Sequence, residues 1–68
     1  MKLGYAKQYN APCVILEPGD HASDVIDFAT ARGAIYQERP EDQFFVVQFP
    51  GRPKEPYSER ALRRSFPI

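Results

Sequence analysis

The sequence predicts a small α+β domain in which a mostly antiparallel sheet of about four strands packs on one main helix, with a short C-terminal helix closing the chain. Three observations lead there. Two strand-like segments precede Glu17, an amphipathic segment fills residues 21–32, and the densest apolar run, Gln43 to Phe49, follows it. The element order along the chain is β-β-α-β-β-α. At 68 residues the chain holds one core, so residues 1–68 form a single domain.

Taken in order, Leu3, Tyr5, Lys7 and Tyr9 alternate with Gly4, Ala6 and Gln8, the period-2 pattern of a half-exposed edge strand. Asn10-Ala11-Pro12 punctuates it. Cys13-Val14-Ile15-Leu16 is a continuous apolar run expected of a central strand, and Glu17-Pro18-Gly19-Asp20 ends it with turn residues. The helix follows. Asp20 is expected as its N-cap, Ala22, Val25, Ile26 and Ala29 share one face, and Gly33 suits the left-handed residue that ends it.

Ala34 to Gln37 reads as a short strand, residues 38–42 as a polar turn, and Gln43 to Phe49 as the strongest strand. In the last, Phe44, Val46 and Gln48 share one face while Phe45, Val47 and Phe49 share the other. Two apolar faces need two covers. The main helix covers one; Phe45, Val47 and Phe49 are therefore marked for self-association unless the C-terminal segment covers them. Residues 50–57, punctuated by Pro50, Pro53 and Pro56, form a stiff connector. A final helix starts from Ser58 as N-cap, with Tyr57 and Leu62 placed as a hydrophobic staple.

Composition narrows the classes of function. A single cysteine, Cys13, excludes an intramolecular disulfide and a paired-cysteine zinc site. No secretory leader and no membrane span of about 20 apolar residues is expected, so the cytoplasm is the expected setting. The formal net charge is zero but unevenly placed. Lys2 and Lys7 make the start basic, seven acids between Glu17 and Asp42 outweigh Arg32 and Arg39, and the segment from Arg52 onward is basic again. A neutral total disfavours generic nucleic-acid binding, which needs many cations on one surface.

No catalytic or metal site is expected, and no cofactor. His21 is the sole histidine and its acidic neighbours suit a helix N-terminus, while Cys13 sits among apolar residues that would keep it inert. Gly19, Gly33 and Gly51 stand alone rather than in a phosphate-cradling loop. What remains is charge. Asp20, Asp24, Asp27, Glu38, Glu41 and Asp42 form an expected acidic surface, and Arg52, Lys54, Arg60, Arg63 and Arg64 the densest basic cluster.

The layout resembles that of short accessory proteins of bacteriophages and mobile elements, anti-CRISPR proteins among them. The features that carry the resemblance are the Met1 start, one compact α+β unit, and the ending Tyr57-Ser58-Glu59-Arg60-Ala61-Leu62 through Phe66-Pro67-Ile68. Such proteins act stoichiometrically, by binding a host protein or nucleoprotein complex in the host cytoplasm. The resemblance implies a non-enzymatic module with a protein partner and an inhibitory action. Two further expectations stand beside it: a nucleic-acid partner held by the basic cluster, and a homodimer that supplements a small core.

Overall fold

A computed structural model describes residues 1–39 and 43–68, without the side chains of residues 38 and 39. Strand β1 (Lys2–Ala6) and strand β2 (Ala11–Ile15) pair antiparallel, with Gly4 opposite Cys13 and Ala6 opposite Ala11. The alternation through Tyr9 predicts a longer first strand. The chain instead leaves the sheet at Ala6, where Lys7–Tyr9 form a 3-10 turn ending on Asn10 at φ 50°. Asparagine adopts this left-handed conformation more readily than most residues, and its Oδ1 accepts a hydrogen bond from the Tyr5 hydroxyl.

Helix α1 (Ala22–Ala31) carries Val25 and Ala29 inward, as the periodicity predicts. Its N-terminus differs from expectation. His21 is the capping residue and makes no side-chain cap bond; Asp20 instead accepts from the Glu17 amide at 2.8 Å and pairs with the Met1 ammonium. A carboxylate this close to a full positive charge gains more from it than from a helix dipole. Gly33, at φ 68°, follows the helix as expected.

Strands β3 (Ile35–Arg39) and β4 (Phe44–Gln48) pair antiparallel, and the sheet order is β1-β2-β4-β3. Thus β1 is an edge and β2 is central, as the hydrophobic patterns predict. The connection from β2 through α1 to β3 steps over one position, which β4 fills.

Only Val14–Phe45 and Ile15–Phe44 pair β2 with β4, and the reason is Pro12. Leu16 donates to the Gln43 carbonyl at 3.0 Å, so residues 16, 14 and 12 in turn direct their backbone groups toward β4. Proline has no N–H for the Val47 carbonyl opposite it. The connector takes that place: the Tyr57 amide donates to Val47 at 2.7 Å, and Pro56 bridges to Gln48. The ladder is complete, and the chain is aimed into helix α2 (Glu59–Ser65), whose first turn is capped by Ser58 Oγ accepting from the Ala61 amide at 3.2 Å.

Both helices lie on one face of the sheet. Val25, Ala29, Leu62 and Phe66 from the helical side meet Val14, Phe45 and Val47 from the strands in one buried cluster. This corrects the expectation for Phe45, Val47 and Phe49. Phe45 and Val47 are closed off at 1% and 0% exposure, and Phe49 is half-buried, stacked on Tyr57 with ring centroids 4.2 Å apart. Helix α1 and the C-terminal segment together supply their cover, so they form core rather than an open self-association face. Among the described residues no helix covers the opposite face. There Ala6, Ala11, Cys13, Phe44 and Val46 are buried beneath the side chains of Tyr9 and Ile15.

Candidate functional site: a charged helical layer and an open strand edge

The outward side of α1 presents Asp24 and Asp27, both exposed, because Val25 and Ala29 turn the other side inward. Neither acid pairs with a described residue. The rest of the expected acidic surface divides. Asp20 is drawn toward the N-terminus, where the Met1 ammonium, then the Glu17 amide, hold its carboxyl below the usual range. Glu41, Asp42 and the side chain of Glu38 lie outside the described residues.

On α2 the same logic gives the opposite sign. Leu62 and Phe66 face the core, which places Arg60 and Arg64 on the solvent side. Of the five expected basic residues, two are matched locally: Arg52 forms an ion pair with Glu55 at 3.1 Å, and Arg63 with Glu59 at 3.3 Å. Arg52 also lies over the Phe49 ring, 5.4 Å from its centroid. Lys54, Arg60 and Arg64 are exposed and make no ion pair with a described residue. Phe28 of α1 meets Phe66, the residue that ends α2, with ring centroids 4.6 Å apart. The helical side of the sheet therefore carries acidic residues on α1 and basic residues on α2.

A second feature was missed at the level of sequence. A groove of about 310 Å³ runs between β1 and α2, lined by Leu3, Gly4, Tyr5, Pro12, Glu59 and Arg63. Tyr5 is 58% exposed, the most exposed large apolar side chain among the described residues. The alternation of residues 3–9 does predict a half-open strand. That α2 would form the other wall depends on the Pro12 gap in the ladder, which no local pattern announces.

The remaining chemical candidates are shielded or isolated. Cys13 is a buried free thiol, and desolvation raises its pKa against a partial offset from the Gly4 amide, which opposes the thiolate a nucleophile needs. His21 is exposed. Among the described residues no group of three His, Cys, Asp or Glu side chains converges on a metal position. Among the described residues no helix is long and apolar enough to cross a membrane. Comparison with family models, curated proteins and solved structures found no match to the chain, so its own geometry carries the functional reading.

Proposed function

We propose that this protein is a non-enzymatic binding module that acts stoichiometrically on a protein partner through its helical layer. The observation that carries the reading is a pair of exposed charged sets of opposite sign on the helical side, Asp24 and Asp27 on α1 and Arg60 and Arg64 on α2, none of them in an ion pair with a described residue. Charges of both signs displayed on one side of the domain favour a partner that carries complementary charges of both signs, and they disfavour one of a single sign. A polyanion would gain from the arginines and lose to the aspartates. Protein is therefore favoured over nucleic acid.

Inhibition of a host protein or nucleoprotein complex, as by a phage-encoded accessory protein, is the finer form of the same proposal. It rests on size and layout. A chain of 68 residues can act by occupying a surface.

The test is affinity purification of the intact chain from its native cell, followed by titration of the co-purified protein with wild type and with two charge-reversed variants. Asp24→Lys/Asp27→Lys and Arg60→Glu/Arg64→Glu are each expected to weaken binding by about tenfold or more, since close charge pairs contribute on the order of 1.5 kcal/mol or above. Retention of nucleic acid with a steep salt dependence, lost only in the arginine variant, would replace the proposal with a nucleic-acid reading.

A further inference from the structure

The two edges of the sheet are not equivalent. In sequence, β3 ends in two charged residues, Glu38 and Arg39, where β1 has one, Lys2, at its start. β1 has a neutral centre, Leu3-Gly4-Tyr5, with no proline and no bulge in its pairing to β2. Such an edge is a template for another strand.

Its polarity follows from the register. Residues 14 and 16 of the second strand segment turn their backbone groups toward β4, so Cys13 and Ile15 turn theirs toward β1 and meet Gly4 and Lys2. The N–H and C=O groups of Leu3 and Tyr5 then point away from the sheet. Their side chains stand on the helical side, at the groove shared with α2.

We propose that this edge is occupied by the β1 edge of a second copy of the chain, paired antiparallel about a two-fold axis through Gly4. The alignment is self-complementary: Leu3 of one chain faces Tyr5 of the other, and the reverse, giving two residue pairs that each exchange both backbone hydrogen bonds. All five residues of β1 are used. Lys2 then faces the partner's Ala6, so no like charges are opposed, and the two Gly4 residues meet on the axis without side chains between them. Shifting the alignment by two residues either superposes Leu3 on itself and engages Met1, whose ammonium is held by Asp20 and Glu17, or runs into the Lys7–Tyr9 turn.

The side chains fit the same pairing. Directly opposed residues bring their side chains together on one face, so the partner's Tyr5 lies against Leu3, at the mouth of the groove. About 310 Å³ bounded by Leu3, Pro12 and the Glu59–Arg63 pair accommodates an aromatic ring, and burial there removes the most exposed apolar side chain from water. The result is a continuous eight-stranded sheet. Its outward helix faces stay open, so two copies of the helical layer are displayed, and the inference does not rest on what that layer binds.

Sedimentation equilibrium from micromolar to millimolar concentration, together with amide exchange, tests the pairing. The expected mass rises from 7.8 kDa toward twice that value, and the Leu3 and Tyr5 amides become protected as it rises while the Gly4 and Ala6 amides stay protected throughout. Tyr5→Pro removes an outward N–H without touching a β1–β2 hydrogen bond, and it is expected to leave a folded monomer by circular dichroism. A wild-type chain that remains monomeric at millimolar concentration overturns the proposal, including the case in which the edge is reserved for an extended segment of another protein. So does a dimer in which the Leu3 and Tyr5 amides still exchange freely.

Discussion

The two faces of the sheet bury their apolar side chains by different means. On the helical face, Phe45 and Val47 are sealed by α1 and α2, elements far away in the chain. On the other, Phe44, Val46 and Cys13 are sealed by Tyr9 and Ile15, with Tyr9 meeting Phe44 edge-on at 6.0 Å. The first face depends on the whole fold being formed. The second depends on two partly buried side chains close by in the sheet, and it tolerates change only where those side chains can move.

The largest expected effect lies on the helical face. Phe45→Ala removes a side chain with 1% exposure from the centre of the main cluster, at a cost of about 3–5 kcal/mol. A chain of this length has a total stability of roughly 3–10 kcal/mol, so the variant should be largely unfolded in a urea titration. A loss below about 1 kcal/mol would mean that the helical layer does not hold the sheet as described.

Gly4 tests the second face. A Cβ there would collide with Ile15 Cδ1 and come within 3.1 Å of Ile15 Cγ1, so Gly4→Ala should destabilise by about 1–3 kcal/mol through overpacking. The obstacle is the flexible end of one side chain. Ile15→Ala in the same chain should therefore recover part of the loss, and strict additivity of the two changes would disprove this contact.

Gln48 marks where that face is imperfect. Its residue is 9% exposed and its side-chain Oε1 is buried without a hydrogen-bond partner, beside the exposed Ile35. Gln48→Leu should raise stability by about 1 kcal/mol, because an unsatisfied polar group is replaced by an apolar one of similar length. A loss on thermal unfolding would show that the amide is bonded after all.

The smallest effect is at the surface pair that ties β1 to the loop before α1. The hydrogen bond from the Met1 ammonium, followed by the bond from the Glu17 amide, lowers the Asp20 pKa; the Asp20 carboxylate in turn raises that of the ammonium. A lowered carboxylate value means stability present above the unfolded-state value near 3.8 and lost as pH falls through the lower folded value. A raised amine value means stability present below 8.0 and lost as pH rises through the higher folded value. The urea midpoint should be slightly higher between these limits than outside them, and Asp20→Asn should flatten the profile.

Elements with local signals were legible from the residues alone. The periodicity of Ala22 to Ala29, the stop at Gly33 and the capping of α2 by Ser58 all reflect contacts within a few positions along the chain. What could not be read depends on which strands become neighbours. Phe44/Val46 and Phe45/Val47 are equally apolar, and which pair meets the helices is set by strand pairing and by the side on which the β2–α1–β3 crossover passes. Asp20 was expected as a cap because local propensity favours it; the Met1 ammonium, brought close by the β1–β2 pairing, competes more strongly. The charged strips were legible as residues. Their separation into matched and unmatched members, with Glu55 and Glu59 neutralising Arg52 and Arg63, needed side-chain geometry.

The most direct measurement of the proposed action is calorimetric titration of the co-purified protein partner with wild type and the two charge-reversed helical variants, at low and moderate salt. Binding at one module per site, weakened in both variants while their folds stay intact, is the predicted result. Equal affinity for all three chains would contradict it and remove the helical layer from the account.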